Sequence, residues 1–377
     1  MMKPQYLKRQ PKLQQSYTHL KRRLFDHKSL ILSEQLPYQV IATFDKAQVR
    51  YYASQHNTQR IPLVLVAPLA IKMSIYDLFP YRSLVRHLSD NGFDVYLIDW
   101  GKLDRSDVHL NFEYFVFTAM PKLIQAVKQH ANCNEISLQG WSMAGIFSLM
   151  YAASGIDSGI RNLLIFGSPV DSHASGNIGR GYQLAYQLIQ RNAKANKMIL
   201  NNKVPAKLLH TPGFINALGF KLLNPLGMLQ GHLQLLKRLN NLADVKSHAT
   251  LSDFLNNMID YPGAVNQDML LWIWLQNPMI QGKFTYKGRA LDLKNIQSSL
   301  LVGAGDSDSI VTAPSIQPLT TLTSSTDVAF QLIPGGHLGL MCSQGSSTQF
   351  WPVLTEWLRI RSSIGTKNTD QVKMQKN

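Results

Sequence analysis

The stretch that leaves this chain the fewest folds to choose from is residues 136–147, Ile-Ser-Leu-Gln-Gly-Trp-Ser-Met-Ala-Gly-Ile-Phe. A β-type run, Ile136 to Leu138, leads into Gly140-Trp141-Ser142-Met143-Ala144-Gly145, and apolar residues then recur at helical spacing (Ile146, Phe147, Leu149, Met150, Ala153). A chain that passes from strand to helix this quickly brings the two elements together, so the residues two before and two after the tip of the turn must be small. Gly140 and Ala144 hold those positions, with Gly145 next, and Ser142 stands at the tip. This is the layout of a nucleophile elbow, Gly-x-Ser-x-Gly, altered by the one methyl group of Ala144. The competing reading is a small-residue turn with an incidental serine. What separates the two is whether a base and an acid follow downstream.

The flanking segments give the architecture. Tyr38–Thr43 and Gln48–Tyr52 read as paired edge strands joined by a loop containing Asp45. Pro62–Ala67 is a continuous apolar run, as expected of a strand buried on both faces, and Asp94–Ile98 is another. A helical pattern over Asp77–Asp90 separates them, and a long amphipathic helix ends near His130 before the Ile136 strand. Leu163–Phe166 follows the elbow helix. Strands alternating with helices predict an α/β fold, a doubly wound, mainly parallel sheet. The alternation lapses over residues 172–290, which are helix-biased and broken at Pro205, Pro212, Pro225, Pro262 and Pro278; we expect a helical lid inserted over the sheet's C-terminal edge. It resumes with strands at Ser299–Ala304 and Val328–Ile333 and a helix over Ser346–Arg361. The expected divisions are a basic polar arm at 1–35, a core at 36–171 and 291–361, the lid between them, and a disordered tail at 362–377.

Each late strand ends in a group that serine chemistry needs. Gly305-Asp306-Ser307-Asp308-Ser309 follows the first, and Pro334-Gly335-Gly336-His337 the second. A hydroxyl is a poor nucleophile until an imidazole takes its proton, and the imidazole needs a carboxylate to fix its tautomer. Ser142, Asp308 and His337 stand in the Ser…Asp…His order of α/β-hydrolases. Asp306, two residues away, and Asp171, after the earlier strand, are alternative acids. The backbone N–H of Met143, with one from Leu69 or Ala70 in the loop after Pro68, would form the oxyanion hole.

Composition narrows the partners. The formal charge of +15 is uneven: residues 1–30 carry eight Lys/Arg against Asp26 alone, and residues 172–243 carry nine and no Asp or Glu. Such a field suits an anionic partner or simply a soluble surface. For nucleic acid it is composition alone, without a reading motif, so nucleic acid is disfavoured. The basic N-terminus has no apolar core behind it, as a secretory signal would, and no run reaches the ~18 apolar residues of a membrane span. Cys133 and Cys342 make no disulfide framework, and reduced thiols fit a cytoplasmic protein. No metal spacing is present and no cofactor is expected; coenzyme A enters only as substrate or leaving group.

Several segments resemble the catalytic domain of polyhydroxyalkanoate synthases, in the short, single-domain form: Pro68-Leu69-Ala70-Ile71-Lys72, Ile75-Tyr76-Asp77-Leu78, Ser83–Leu88, Ser168-Pro169-Val170-Asp171, Asn277 with Gly282, Asp292-Leu293 with Ile296, Gly336-His337-Leu338-Gly339, and the Trp351/Trp357 helix. The resemblance covers roughly residues 40–170 and 265–360. It implies an α/β-hydrolase fold, hydroxyacyl thioester substrates, and possibilities of a homodimer, an accessory subunit and a polyester granule. Two departures matter. The synthases use Cys within Gly-x-Cys-x-Gly-Gly where this chain has Ser142 followed by Ala144-Gly145, and the His that usually follows their catalytic Asp is Ser309 here. The lid motif that pairs Trp with Asn and Asp is not recognisable around 250–268. An acyl-serine ester lies lower than an acyl thioester, and water attacks it readily. The expectation placed first is therefore a serine α/β-hydrolase or acyltransferase acting on hydroxyacyl esters or thioesters. The alternatives are a polyester synthase polymerising 3-hydroxyacyl-CoA, and a non-catalytic protein bound to a granule or an anionic membrane surface.

Overall fold

The computed structural model describes residues 10–56, 60–200, 204–223 and 225–363. Strands β1 (Gln39–Phe44) and β2 (Ala47–Tyr52) form the expected edge hairpin. Inward from it lie β3 (Leu63–Val66), β4 (Val95–Asp99), β5 (Ile136–Trp141) and β6 (Ile160–Phe166). A separate antiparallel hairpin, β7 (Lys283–Tyr286) and β8 (Arg289–Asp292), precedes β9 (Ser299–Gly305) and β10 (Val328–Ile333). The eight-stranded sheet runs β1-β2-β4-β3-β5-β6-β9-β10, parallel from β4 onward with β2 antiparallel to β4. From β3 the chain moves outward to β4, then returns to β5 and continues the other way. The order thus reverses between β3 and β5, and at such a point the loops beyond the strands part to leave a crevice.

The apolar runs are continuous because both faces of the sheet are covered. Val64 and Val66 point into one core, with Leu123, Ile124 and Val127 of the helix Met120–His130 and Ile146, Phe147 and Leu149 of the helix Met143–Ala153. Leu63 and Leu65 point into the other, with Leu84, Val85 and Leu88 of the helix Leu84–Asp90 and Leu354 and Leu358 of the helix Trp351–Arg361. Strand periodicity alone divides the residues between the two layers.

The structure departs from the sequence expectations in three places. The helix expected over Asp77–Asp90 is shorter: a 3₁₀ turn covers Met73–Asp77, Phe79 and Arg82 bridge across Pro80, and Ser83 caps a helix beginning only at Leu84. Residues 10–25 of the expected arm form a helix, α1 (Gln10–Phe25); residues 1–9 and 364–377 lie outside the described residues. The helical reading to residue 290 fails at β7 and β8, because Lys287-Gly288 makes a two-residue turn with both residues at positive φ. Tyr286, Leu291 and Met279 are packed in the core beneath the sheet, so this part of the segment is no cover. The rest of the segment, labelled the cover after that expectation, holds helices at Gly176–Arg191, Ala193–Ile199 and Ala206–Leu209, a helix at Gly213–Leu223 that we call the cap helix, a helix at Pro225–Lys237, and a helix at Leu242–Asn256 that we call the bracket helix. Of these, the cap helix lines the cavity over Ser142. No helix among the described residues is long and apolar enough to cross a membrane.

The two cysteines differ in reach. Burial pushes the Cys342 thiol up to about 11, whereas Cys133 is partly exposed. The raised value keeps Cys342 a thiol rather than the reactive thiolate, and it is enclosed as well. An alkylating reagent should modify Cys133 in the native protein and Cys342 only on unfolding, as peptide mass mapping would show; equal rates would contradict the packing.

Candidate active site

The elbow is built as the sequence suggests, with one change in which residue must be bare. Ser142 has φ 58° and ψ −129°, a conformation that costs a non-glycine residue about 1–3 kcal/mol and that only surrounding structure maintains. Here its N–H donates to the Phe166 carbonyl at 2.9 Å, and its own carbonyl accepts from Gly145 N–H at 3.0 Å and Ser168 Oγ–H at 2.7 Å. A Cβ on Gly140 would lie 2.5 Å from the Ala144 carbonyl oxygen and 2.6 Å from Gly145 Cα. On Gly145 it would lie 1.9 Å from Ser168 Oγ. Ala144 carries its methyl in a fully buried place, so the residue that must lack a side chain is Gly145, which faces the loop after β6. Gly140→Ala meets two backbone atoms of the following helix and cannot be relieved by a rotamer change. We expect it to cost at least about 2 kcal/mol, seen as a lowered Tm, together with lost activity.

Three strand ends deliver three side chains to one place. His337 Nε2 is 2.8 Å from Ser142 Oγ, and His337 Nδ1 is 2.7 Å from Asp308 Oδ2. The other Asp308 oxygen accepts the N–H groups of Ile310 and Val311, each at 2.9 Å. An ionised carboxylate only accepts, so the proton must be on Nδ1; Nε2 then keeps its lone pair and Ser142 Oγ–H donates to it. The Asp308 side chain is wholly buried and that of His337 nearly so, which keeps water from competing for these bonds. Trp141 packs its ring against the imidazole, centroids 5.7 Å apart.

The two alternative acids are occupied elsewhere. Asp306 accepts the Gly335 N–H at 2.9 Å and so holds the loop that carries His337. Asp171 accepts from Asn277 Nδ2 at 2.7 Å and from His173 N–H at 3.2 Å, tying the loop after β6 to the segment beneath the cover. Neither touches the imidazole in any contact the structure shows. Met143 is the first residue of its helix, so its N–H has no partner within that helix. Leu69 and Ala70 line the same cavity as Ser142. Ala70 has φ 68°, and its carbonyl accepts from Ile259 N–H at 3.0 Å, which fastens this loop to the cover.

The cavity over Ser142 measures about 160 Å³. Its floor is Ser142, His337, Leu69 and Ala70. Its roof brings in residues that spacing did not reveal: Asn216 and Phe220 of the cap helix, Tyr261, Met269 and Trp274. Tyr261 donates its hydroxyl to the Met143 sulfur, and burial pushes that phenol well above its ordinary range, so it stays a neutral donor. Apolar helical spacing was the one signal that could have found Phe220; nothing local marks Tyr261. No group of metal-ligating side chains occurs among the described residues.

The sequence model of the alpha/beta hydrolase fold family matches residues 73–340. Among similar proteins, the poly(3-hydroxyalkanoate) polymerase subunit PhaC of Haloferax mediterranei is 29% identical over 88% of this chain, and the match spans 66% of that relative's length. The subunit of the same name from Allochromatium vinosum is 25% identical over 86% of this chain and 89% of its own, and that of Synechocystis sp. is 27% identical over 85% and 84%. A soluble variant of monoglyceride lipase from Saccharomyces cerevisiae shares the fold at TM-score 0.53, with 16% identity over 88% of this chain and 97% of the lipase. The names of the relatives favour the polyester-synthase alternative over the hydrolase reading that Ser142 had put first. Matched by the family's model across most of its length, the chain belongs to the alpha/beta hydrolase fold family, and within it is similar to the polyhydroxyalkanoate synthases.

Proposed function

We propose that this protein transfers 3-hydroxyacyl groups from a coenzyme A thioester through a covalent acyl-serine, in the manner of a polyester synthase. The carrying observation is the continuous relay from Asp308 through His337 to Ser142 at the floor of a covered cavity. Ser142 Oγ gives its proton to His337 Nε2 as it attacks the thioester carbonyl carbon. The N–H of Met143 and one from Leu69 or Ala70 stabilise the oxyanion. The tetrahedral adduct collapses by breaking the C–S bond, and the thiolate takes the proton from His337. In the second half the hydroxyl of a further hydroxyacyl-CoA attacks the acyl-serine carbonyl and loses its proton to His337. The bond to Ser142 Oγ breaks, the serine takes that proton back, and the chain, one unit longer and carried on the incoming thioester, re-acylates Ser142 with release of the coenzyme thiol. The similarity to polymerase subunits supports this acceptor, and the apolar roof supports it by limiting water.

A specific observation keeps hydrolysis as a second reading: the nucleophile is an alcohol, and its ester is cleared by water more readily than it is returned to a thiol. Intact-protein mass measurement after mixing with 3-hydroxybutyryl-CoA separates the two. A ladder of adducts spaced by one hydroxybutyryl unit, with release of free thiol, is the expected result. One short-lived adduct with free hydroxybutyrate indicates hydrolysis. Neither adduct nor thiol release removes both readings.

A further inference from the structure

α1 is amphipathic, yet it is mounted inside out. Leu13, Tyr17, Leu20 and Leu24 recur at i, i+4, i+7 and i+11, which places them in one narrow stripe. That stripe, with Phe25 at the end of the helix, is between 40% and 82% exposed. The face turned toward the body is polar: Ser16, His19, Arg22 and Arg23 are the half-buried residues. It is fastened there. His19 Nδ1 meets the Leu239 carbonyl at 2.7 Å, Arg22 donates to Ser29 Oγ at 3.1 Å, and Arg23 pairs with His27, whose other nitrogen is 3.7 Å from Asp253 on the bracket helix. Left to the hydrophobic effect, a helix of this composition would bury its leucines and expose its arginines. Here the bonds of the polar face hold it the other way, and the leucine stripe is presented outward.

The charge around the stripe tells what could cover it. α1 contains no Asp or Glu, and Lys12, Lys21 and the adjacent Lys28 are exposed beside it. A second copy docked stripe to stripe would bring these lysines against their own equivalents, an unfavourable pairing of like charges. A neutral apolar surface would take the leucines and leave the lysines without a role. An anionic lipid surface satisfies both, with leucines among the acyl chains and ammonium groups among the headgroups. The cap helix packs against the same bracket helix as α1 and also turns apolar residues outward, Phe214, Leu218 and Leu222. We propose that α1 is an interfacial helix that seats this protein on an anionic lipid bilayer. The proposal does not rest on the catalytic reading, and its test does not depend on Ser142.

The test is flotation of the full chain with vesicles of phosphatidylcholine and phosphatidylglycerol, two to one, and with phosphatidylcholine alone. We expect flotation with the mixed vesicles that weakens with salt and is at least about tenfold weaker without the anionic lipid. The triple variant Leu13→Ser, Leu20→Ser, Leu24→Ser should lose at least about tenfold in binding, and Lys12→Gln, Lys21→Gln, Lys28→Gln should lose the preference for anionic lipid. Both variants should keep the wild-type Tm, since none of the six side chains is buried. Absence of flotation, equal flotation by the leucine variant, or equal binding to neutral vesicles overturns the proposal. So does a wild-type dimer that the leucine variant dissociates with no lipid binding, which would assign the stripe to a second copy.

Discussion

Ser142→Ala is expected to lower thioester and ester turnover by at least about 10,000-fold. The same substitution should abolish both labelling by a fluorophosphonate probe and the acyl adduct. The size follows from the arrangement. Among the described residues, Ser142 Oγ is the sole hydroxyl in contact with His337 Nε2, and the cavity floor they form offers no second nucleophile. What would remain is the background from a polarised carbonyl held against Met143 N–H. The fold should be unaffected, because Ser142 is held in its strained conformation through its backbone N–H and carbonyl and not through its side chain. Unchanged Tm with lost labelling is therefore the expected pair of results. A variant that still turns over acyl-CoA within tenfold of the wild type would show that the chemistry happens elsewhere.

Asp308→Asn should lower turnover by about a thousandfold to ten-thousandfold, while Asp171→Asn and Asp306→Asn should each lower it by less than about tenfold. The contrast comes from what each carboxylate touches. An amide at 308 can offer its N–H₂ to His337 Nδ1, which then holds a lone pair and puts its proton on Nε2, where it blocks acceptance from the serine. Asp308 is also wholly buried, so no water can take over its role. Asn at 306 can still accept the Gly335 N–H, and Asn at 171 can still accept from Asn277 and the His173 amide. Steady-state rates on one short acyl-CoA suffice for the comparison. A hundredfold loss in Asp171→Asn with little effect in Asp308→Asn would reverse the assignment.

Much of the architecture could be read from residue type and period alone. Runs such as Pro62–Ala67 are apolar without alternation because helices cover both faces of the sheet, and this marked the parallel strands. Ser142, Asp308 and His337 were legible because each follows a strand end, where a parallel sheet collects its loops. Less was legible where local signals compete. Asp77–Asp90 reads as helix by composition, but Pro80 removes a donor and starts the helix late. The hairpin at 283–292 was hidden because its outward residues are polar and its strands are four residues long. The choice among three aspartates depended on distance, and chain position carries no distance.

By itself, then, the sequence determined the elements, their alternation, and the strand ends at which chemistry could gather, since these depend on the side chain's size, period and backbone freedom. Tertiary structure alone decided which carboxylate meets His337, that Tyr261 and Phe220 roof the cavity, and that α1 turns its leucines outward. Each of these is a meeting of residues far apart in the chain. What selects them is the packing of whole elements, which no local pattern encodes.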